Sequence, residues 1–175
     1  MLRKQVLIFA GMVAAVVVGI AVAFYAPWGA PDPLPQNEGE RLAFAVRWLL
    51  VPGLALFVGI GMTANQRFLK SDAIDGERKV ESWAFEVNLR YNQNTLEQLA
   101  LAAVAWTGLA LTLPAGQLGI IARMALLFGA GRVAFWLGYL YAPWARAFGM
   151  GLTAYPSFVA LVYLVWFALQ QPAGQ

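Results

Sequence analysis

Four stretches of this chain run without a charged residue: Gln5 to Pro31, Trp48 to Gln66, Gln98 to Ala122 and Ala147 to Gln175. Each is long enough to cross the hydrocarbon core of a bilayer, which takes about 20 mostly apolar residues of helix. In hydrocarbon every backbone N–H and C=O must be bonded inside the protein, so such runs fold as helices. Hydrophobic residues make up 61% of the 175 and charged ones 12%, far above the roughly half-apolar mix of soluble domains. The expectation is an all-α integral membrane protein forming one compact membrane domain.

Punctuation divides the chain into five helices. The first runs from about Val6 to Tyr25 and stops at Pro27, Pro31, Pro33 and Pro35, a proline-rich acidic stretch with Asp32, Glu38 and Glu40 that reads as an exposed loop. The second runs from about Leu42 to Asn65, with a kink expected at Pro52-Gly53. Arg67 to Ser82 carries four basic and four acidic residues around the turn signal Asp75-Gly76 and forms the main polar loop. The third helix spans about Trp83 to Thr112 and ends at Leu113-Pro114-Ala115-Gly116. The fourth runs from about Leu118 to Tyr141 before Pro143, and the fifth from about Phe148 to Gln170, followed by a short polar tail.

The N-terminal apolar stretch is long for a secretory signal and reads as a retained signal-anchor helix over residues 1–27, followed by an extracytoplasmic loop over 28–41. Arg3, Lys4, Arg67, Lys70, Arg78, Lys79 and Arg146 fall on one side of the membrane, and Arg41 and Arg47 on the other. The positive-inside rule puts the N-terminus in the cytoplasm and the C-terminus outside; the membrane is expected to be a bacterial inner membrane. Trp28, Trp48, Trp83, Trp144, Tyr25 and Tyr141 fall at expected helix ends and read as headgroup-layer anchors.

The net charge of +3 comes from residues at segment ends, not from a basic stripe beside stackable aromatics, which argues against nucleic acid as a partner. With no Cys and no His, the chain has no thiol nucleophile, no imidazole base and no ordinary zinc site. Any thiol chemistry must use a thiol that arrives as a ligand.

Arg90, Glu97, Arg123 and Arg132 nevertheless fall inside helices. A charged side chain at the centre of a helix costs about 2.5–3.5 kcal/mol on insertion scales, so each needs a partner or a function. Arg90, Asn94 and Glu97 are spaced i, i+4 and i+7, as are, with one shorter step, Arg132, Phe135 and Tyr139. Each set therefore shares a helix face. At 1.5 Å per residue, Glu97 lies about 20 Å from Trp83 and Arg132 about 14 Å from Tyr141, depths that let the two pair. One reading is a buried Glu97–Arg132 pair that fixes helix register, with Asn94 as interhelical glue. The other is a pocket wall of Arg90, Asn94 and Glu97 for a charged, hydrogen-bonding ligand.

The run Arg90-Tyr-Asn-Gln-Asn94-Thr-Leu-Glu97 resembles the R-x-x-x-N-x-x-E signature of the MAPEG family, the membrane-associated proteins in eicosanoid and glutathione metabolism. Gly131-Arg132-Val-Ala-Phe-Trp-Leu-Gly-Tyr139, with Arg146 seven residues beyond the Tyr, is similar to the same family's third-helix and loop pattern. The resemblance covers about Phe44 to the C-terminus. It implies a MAPEG-type four-helix bundle over residues 42–175, with the N-terminal helix as an addition.

It further implies a homotrimer that holds glutathione between subunits as co-substrate, near the cytoplasmic face. Arg90, Asn94, Glu97 and Tyr139 would bind the tripeptide, and Arg146 would stabilise its thiolate as the catalytic residue. A lipophilic electrophile would arrive from the membrane lipids. The implied activity is that of a glutathione-dependent transferase or peroxidase. Arg132 is assigned to structure, as the partner of Glu97.

Two positions depart from the pattern: Gln93 stands where several glutathione-using members have arginine, and Phe135 where they have His or Tyr. Both remove a polar contact from the implied pocket. They point to an alternative, a non-catalytic membrane protein of the same fold that binds a lipid, a quinone or a partner helix. A transporter is a third reading, without an inverted repeat or paired broken helices to carry it.

Overall fold

A computed structural model describes residues 2–68 and 82–170. It contains five helices, α1 (Leu2–Tyr25), α2 (Glu38–Phe68), α3 (Trp83–Thr112), α4 (Gly119–Tyr141) and α5 (Ala147–Gln170), with a short 3-10 turn at Ala115–Gln117 before α4. All five are long and apolar enough to cross a membrane. The helix expected from Trp83 to Thr112 has those bounds, while α2 starts four residues earlier than expected and continues through a buried Pro52. The expected polar loop lies mostly at 69–81, and the tail at 171–175, both outside the described residues.

Local chemistry sets the ends. Ser82 caps α3, its side chain accepting from the Phe85 N–H at 3.3 Å, which satisfies one of the orphan donors of the first turn. At the other end, Arg41 Nη1 reaches across from α2 to donate to the carbonyls of Ala110 at 3.1 Å and Leu113 at 2.9 Å. A cation on the last carbonyls of a helix complements its dipole. Asn37 caps α2, accepting from the Glu40 N–H while Glu40 accepts from the Gln36 N–H and the Asn37 amide.

The core is built on small residues. Ala45, Ala102, Ala105, Ala110 and Ala125 are fully buried around Trp106 and Phe128, and short side chains let helices approach closely where no hydrophobic effect drives them together. Backbone meets backbone between α4 and α5. A Cβ on Gly149 would strike the backbone of Phe135 and Gly131, and one on Gly131 would meet Thr153 Cγ2 at 2.8 Å.

α1 packs along α5, with Gly11 against Phe148 and Ala15 against Gly151, so the two run parallel. The start of α3 and the end of α4 share one end of the bundle, tied by Trp83 Nε1 donating to the Leu140 carbonyl at 3.2 Å. Arg67, Arg90 and Arg146 belong to this end. Trp48 departs from the expected pattern: because α2 begins at Glu38, it lies three turns inside the helix and packs on the core with Phe44.

Candidate functional site

Arg132 is the centre of the buried polar structure. It is 1% exposed, and donates from Nη1 to Asn94 Oδ1 at 2.7 Å and from Nη2 to Thr153 Oγ1 at 2.6 Å. Thr153 in turn donates to the Met150 carbonyl at 2.9 Å. The guanidinium carbon lies 4.8 Å from the centre of the Phe135 ring and 5.5 Å from that of Phe128, so two aromatic faces supplement the hydrogen bonds.

The expected pairing of Arg132 with Glu97 does not form. Glu97 is exposed on α3 and accepts a 2.9 Å hydrogen bond from Gln93 Nε2. The reason is angular. At 100° per residue Asn94 is displaced about 60° around the helix from Glu97, and the rotation that turns Asn94 toward α4 turns Glu97 away. Arg132 keeps its structural role with different partners.

Arg90 also faces outward, its side chain 57% exposed and paired with Glu86 Oε1 at 2.6 Å. Glu86, Arg90, Gln93 and Glu97 thus form a polar stripe on the outer side of α3, while Asn94 belongs to the inner face. The Asn94 amide has its oxygen committed to Arg132, so its N–H donors are the groups left for another partner.

The expected face of α4 is present: Arg132, Phe135 and Tyr139 are all buried. Phe135 and Tyr139 meet edge to face at 5.8 Å, and Trp83 meets Tyr139 at 5.4 Å. Arg146, half-buried at the start of α5, lays its guanidinium 4.4 Å from the Tyr139 ring centre. Arg90 lies near Tyr139 at the same end of the bundle. The structure therefore brings Arg90, Tyr139 and Arg146 together at one end of the bundle, Asn94 below them, and Glu97 farther along the exposed stripe.

Polar residues outside the expected set complete the frame. Asn88 donates to Gln66 Oε1 at 2.9 Å and accepts from Trp136 Nε1 at 2.8 Å. Asn92 donates to Thr63 Oγ1 at 2.8 Å. These bonds hold α2, α3 and α4 in register behind the stripe. Thr153 and Gln98, both buried, belong to the same class. The signal that finds them is an amide or hydroxyl inside an apolar helix, since such groups need partners in hydrocarbon as charges do.

Phe135, where the resemblance implies a polar residue, lies under the Arg132 guanidinium and packs at a tilt against Tyr91, with ring centres 6.2 Å apart. Gln93 is engaged with Glu97. Arg123, also expected to need a partner, sits near the start of α4 and donates from Nη1 to the carbonyls of Ala26 at 3.4 Å and Trp28 at 3.1 Å.

A family model, MAPEG family, matches residues 42–169, which takes in nearly all of α2 through α5 and leaves α1 outside. No curated protein and no solved structure matches the chain.

Proposed function

The chain belongs to the MAPEG family, and from that membership we propose that it is a membrane-bound, glutathione-dependent transferase or peroxidase acting on lipophilic electrophiles. The observation that carries this reading is the convergence of Arg90, Tyr139 and Arg146 at one end of the bundle, with the Asn94 amide oriented by Arg132. In this reading Arg90 takes a carboxylate of the tripeptide, the Asn94 N–H groups a carbonyl, and Glu97 an ammonium. Arg146, held over the Tyr139 ring, faces the sulfur.

A guanidinium beside a thiol favours the thiolate and so raises the concentration of nucleophile at neutral pH. The thiol proton leaves to solvent. The thiolate then bonds to an electrophilic carbon and displaces its leaving group. With a hydroperoxide it takes the distal oxygen and releases an alcohol, and a second glutathione converts the resulting sulfenic acid to disulfide and water. No protein base is required, so the acceleration comes from positioning and charge stabilisation.

The polar stripe of α3 supports a homotrimer in which a neighbouring copy covers Arg90 and Glu97, because an ionised Glu97 facing lipid at mid-helix is costly. The basic residues Arg67, Arg90 and Arg146 at one end support its placement on the cytoplasmic side of a bacterial inner membrane, with the N-terminus there too.

The test is the unfolding temperature of detergent-purified protein with and without millimolar glutathione, beside turnover of a reactive aryl halide and a lipid hydroperoxide. A glutathione-dependent shift that Glu97→Gln abolishes, with turnover that Arg146→Ala lowers roughly a hundred-fold, is the expected result. No shift and no turnover would overturn the proposal in favour of a non-catalytic protein, the reading that the Phe135–Arg132 stack and the Gln93–Glu97 bond favour.

A further inference from the structure

At the end of the bundle away from Arg146 lies a cavity of about 490 Å³ between α1, α4 and α5, capped by the end of α3. One wall, from Ala15 to Phe24 on α1, is about 14 Å long at the rise of an α-helix. α1 lies outside the family match, so this wall is added by the present chain to the shared bundle. Facing it are Met124 and Leu127 of α4 and Pro156 and Val159 of α5, and among the described residues Arg123 is the one charged residue in the lining.

This space is a half-open groove at the bundle surface, not an enclosed void that could stay empty. Nor does it suit water, since an apolar cavity offers too few hydrogen-bond partners. Its surroundings decide the occupant. Val16, Ile20, Phe24 and Val159 are among the exposed large hydrophobics that also line the cavity, so it borders the hydrocarbon of the bilayer, where the solvent is acyl chain.

Arg123 sets the polarity of the occupant. It lies within the first turns of α4, at the depth where the loop after α1 crosses, and both of its loop carbonyls are bonded through Nη1. Its buried Nε–H has no partner among the described residues. Nη2, which makes no hydrogen bond among the described residues and is not buried as Nε is, can donate a charge-assisted bond to a phosphate oxygen.

We propose that this cavity is a lipid site that takes one acyl chain of an anionic phospholipid, with the phosphate against Arg123. The site is separate from the glutathione reading: Arg123 and Arg132 are about 14 Å apart along α4.

Native mass spectrometry of the full chain in mild detergent tests this, with dioleoyl phosphatidylglycerol, phosphatidylcholine of the same chains, and oleate as probes. The expected result is one phosphatidylglycerol retained per chain, with about ten-fold preference over phosphatidylcholine, whose choline ammonium competes with Arg123 for the same phosphate charge. Gly19→Phe should expel it at unchanged thermal stability, because a Cβ on Gly19 meets nothing within 4 Å and the ring enters the cavity. Arg123→Gln should keep a lipid but lose the preference. Equal retention of the two phospholipids, displacement by oleate, undiminished binding to Gly19→Phe, or no retained lipid would each overturn the proposal.

Discussion

The Nη1 of Arg132 donates to Oδ1 of Asn94 at 2.7 Å, joining α4 to α3 in the interior of the bundle. The contact settles which side of α3 faces inward, and with it which polar residues are left on the outer face. Asn94→Leu removes the acceptor and leaves a buried guanidinium with one partner fewer. The expected cost is about 1.5–3 kcal/mol, the range for hydrogen bonds to charged groups, read as a lower denaturant midpoint in detergent. Asn94→Asp keeps an acceptor and should retain most of the stability.

The α4–α5 crossing depends on Gly149, whose missing side chain lets the Phe135 backbone approach. Gly149→Val forces the helices apart and separates Thr153 from Arg132. Overpacking of a core commonly costs about 1–3 kcal/mol, and backbone against backbone gives no flexible atom to yield, so the variant should sit at or above the top of that range. Loss of folded yield in detergent chromatography checks it, and a wild-type unfolding temperature would show the approach to be looser than described.

Arg146 rests on the Tyr139 ring at the edge of the bundle rather than in its core. Arg146→Ala should therefore leave stability within about 1 kcal/mol, the size of one cation–π contact, while lowering glutathione-dependent turnover by roughly a hundred-fold, the scale of losing one charge-stabilising donor. Arg146→Lys should recover part of the rate. Steady-state kinetics with a fixed electrophile and varied glutathione separates the two effects: kcat falls and the thermal shift by glutathione persists.

Glu97 lies outside the buried network, bonded to Gln93 alone among the described residues. Glu97→Gln should leave the apo protein as stable as wild type and remove the stabilisation by glutathione, which reaches about 2.7 kcal/mol at a hundred times the dissociation constant. Differential scanning fluorimetry across a glutathione titration measures both. A variant that loses stability without ligand would mean that Glu97 has a structural partner after all.

Much of this molecule is legible before any coordinates. The charge-free runs and the prolines at 27, 35, 114 and 143 mark five membrane-length helices, because hydrocarbon leaves the backbone one open-chain solution. The spacing of Arg132, Phe135 and Tyr139 places them on one buried face of α4.

What the sequence does not disclose is who partners whom. Periodicity locates a side chain on its own helix, but the rotation of α3 against α4 depends on contacts far apart in the chain, and it gives Asn94, not Glu97, to Arg132. Thr153 becomes a ligand of that arginine because Gly131 and Gly149 let α5 come close. Arg123 finds its acceptors in a loop 95 residues earlier, and the cavity beside it exists where α1 lies along α5. Helix formation is local and is written in hydrophobicity and punctuation. Rotation, approach and cavity arise only when the helices meet, since each depends on residues that share a neighbourhood in space and none in sequence.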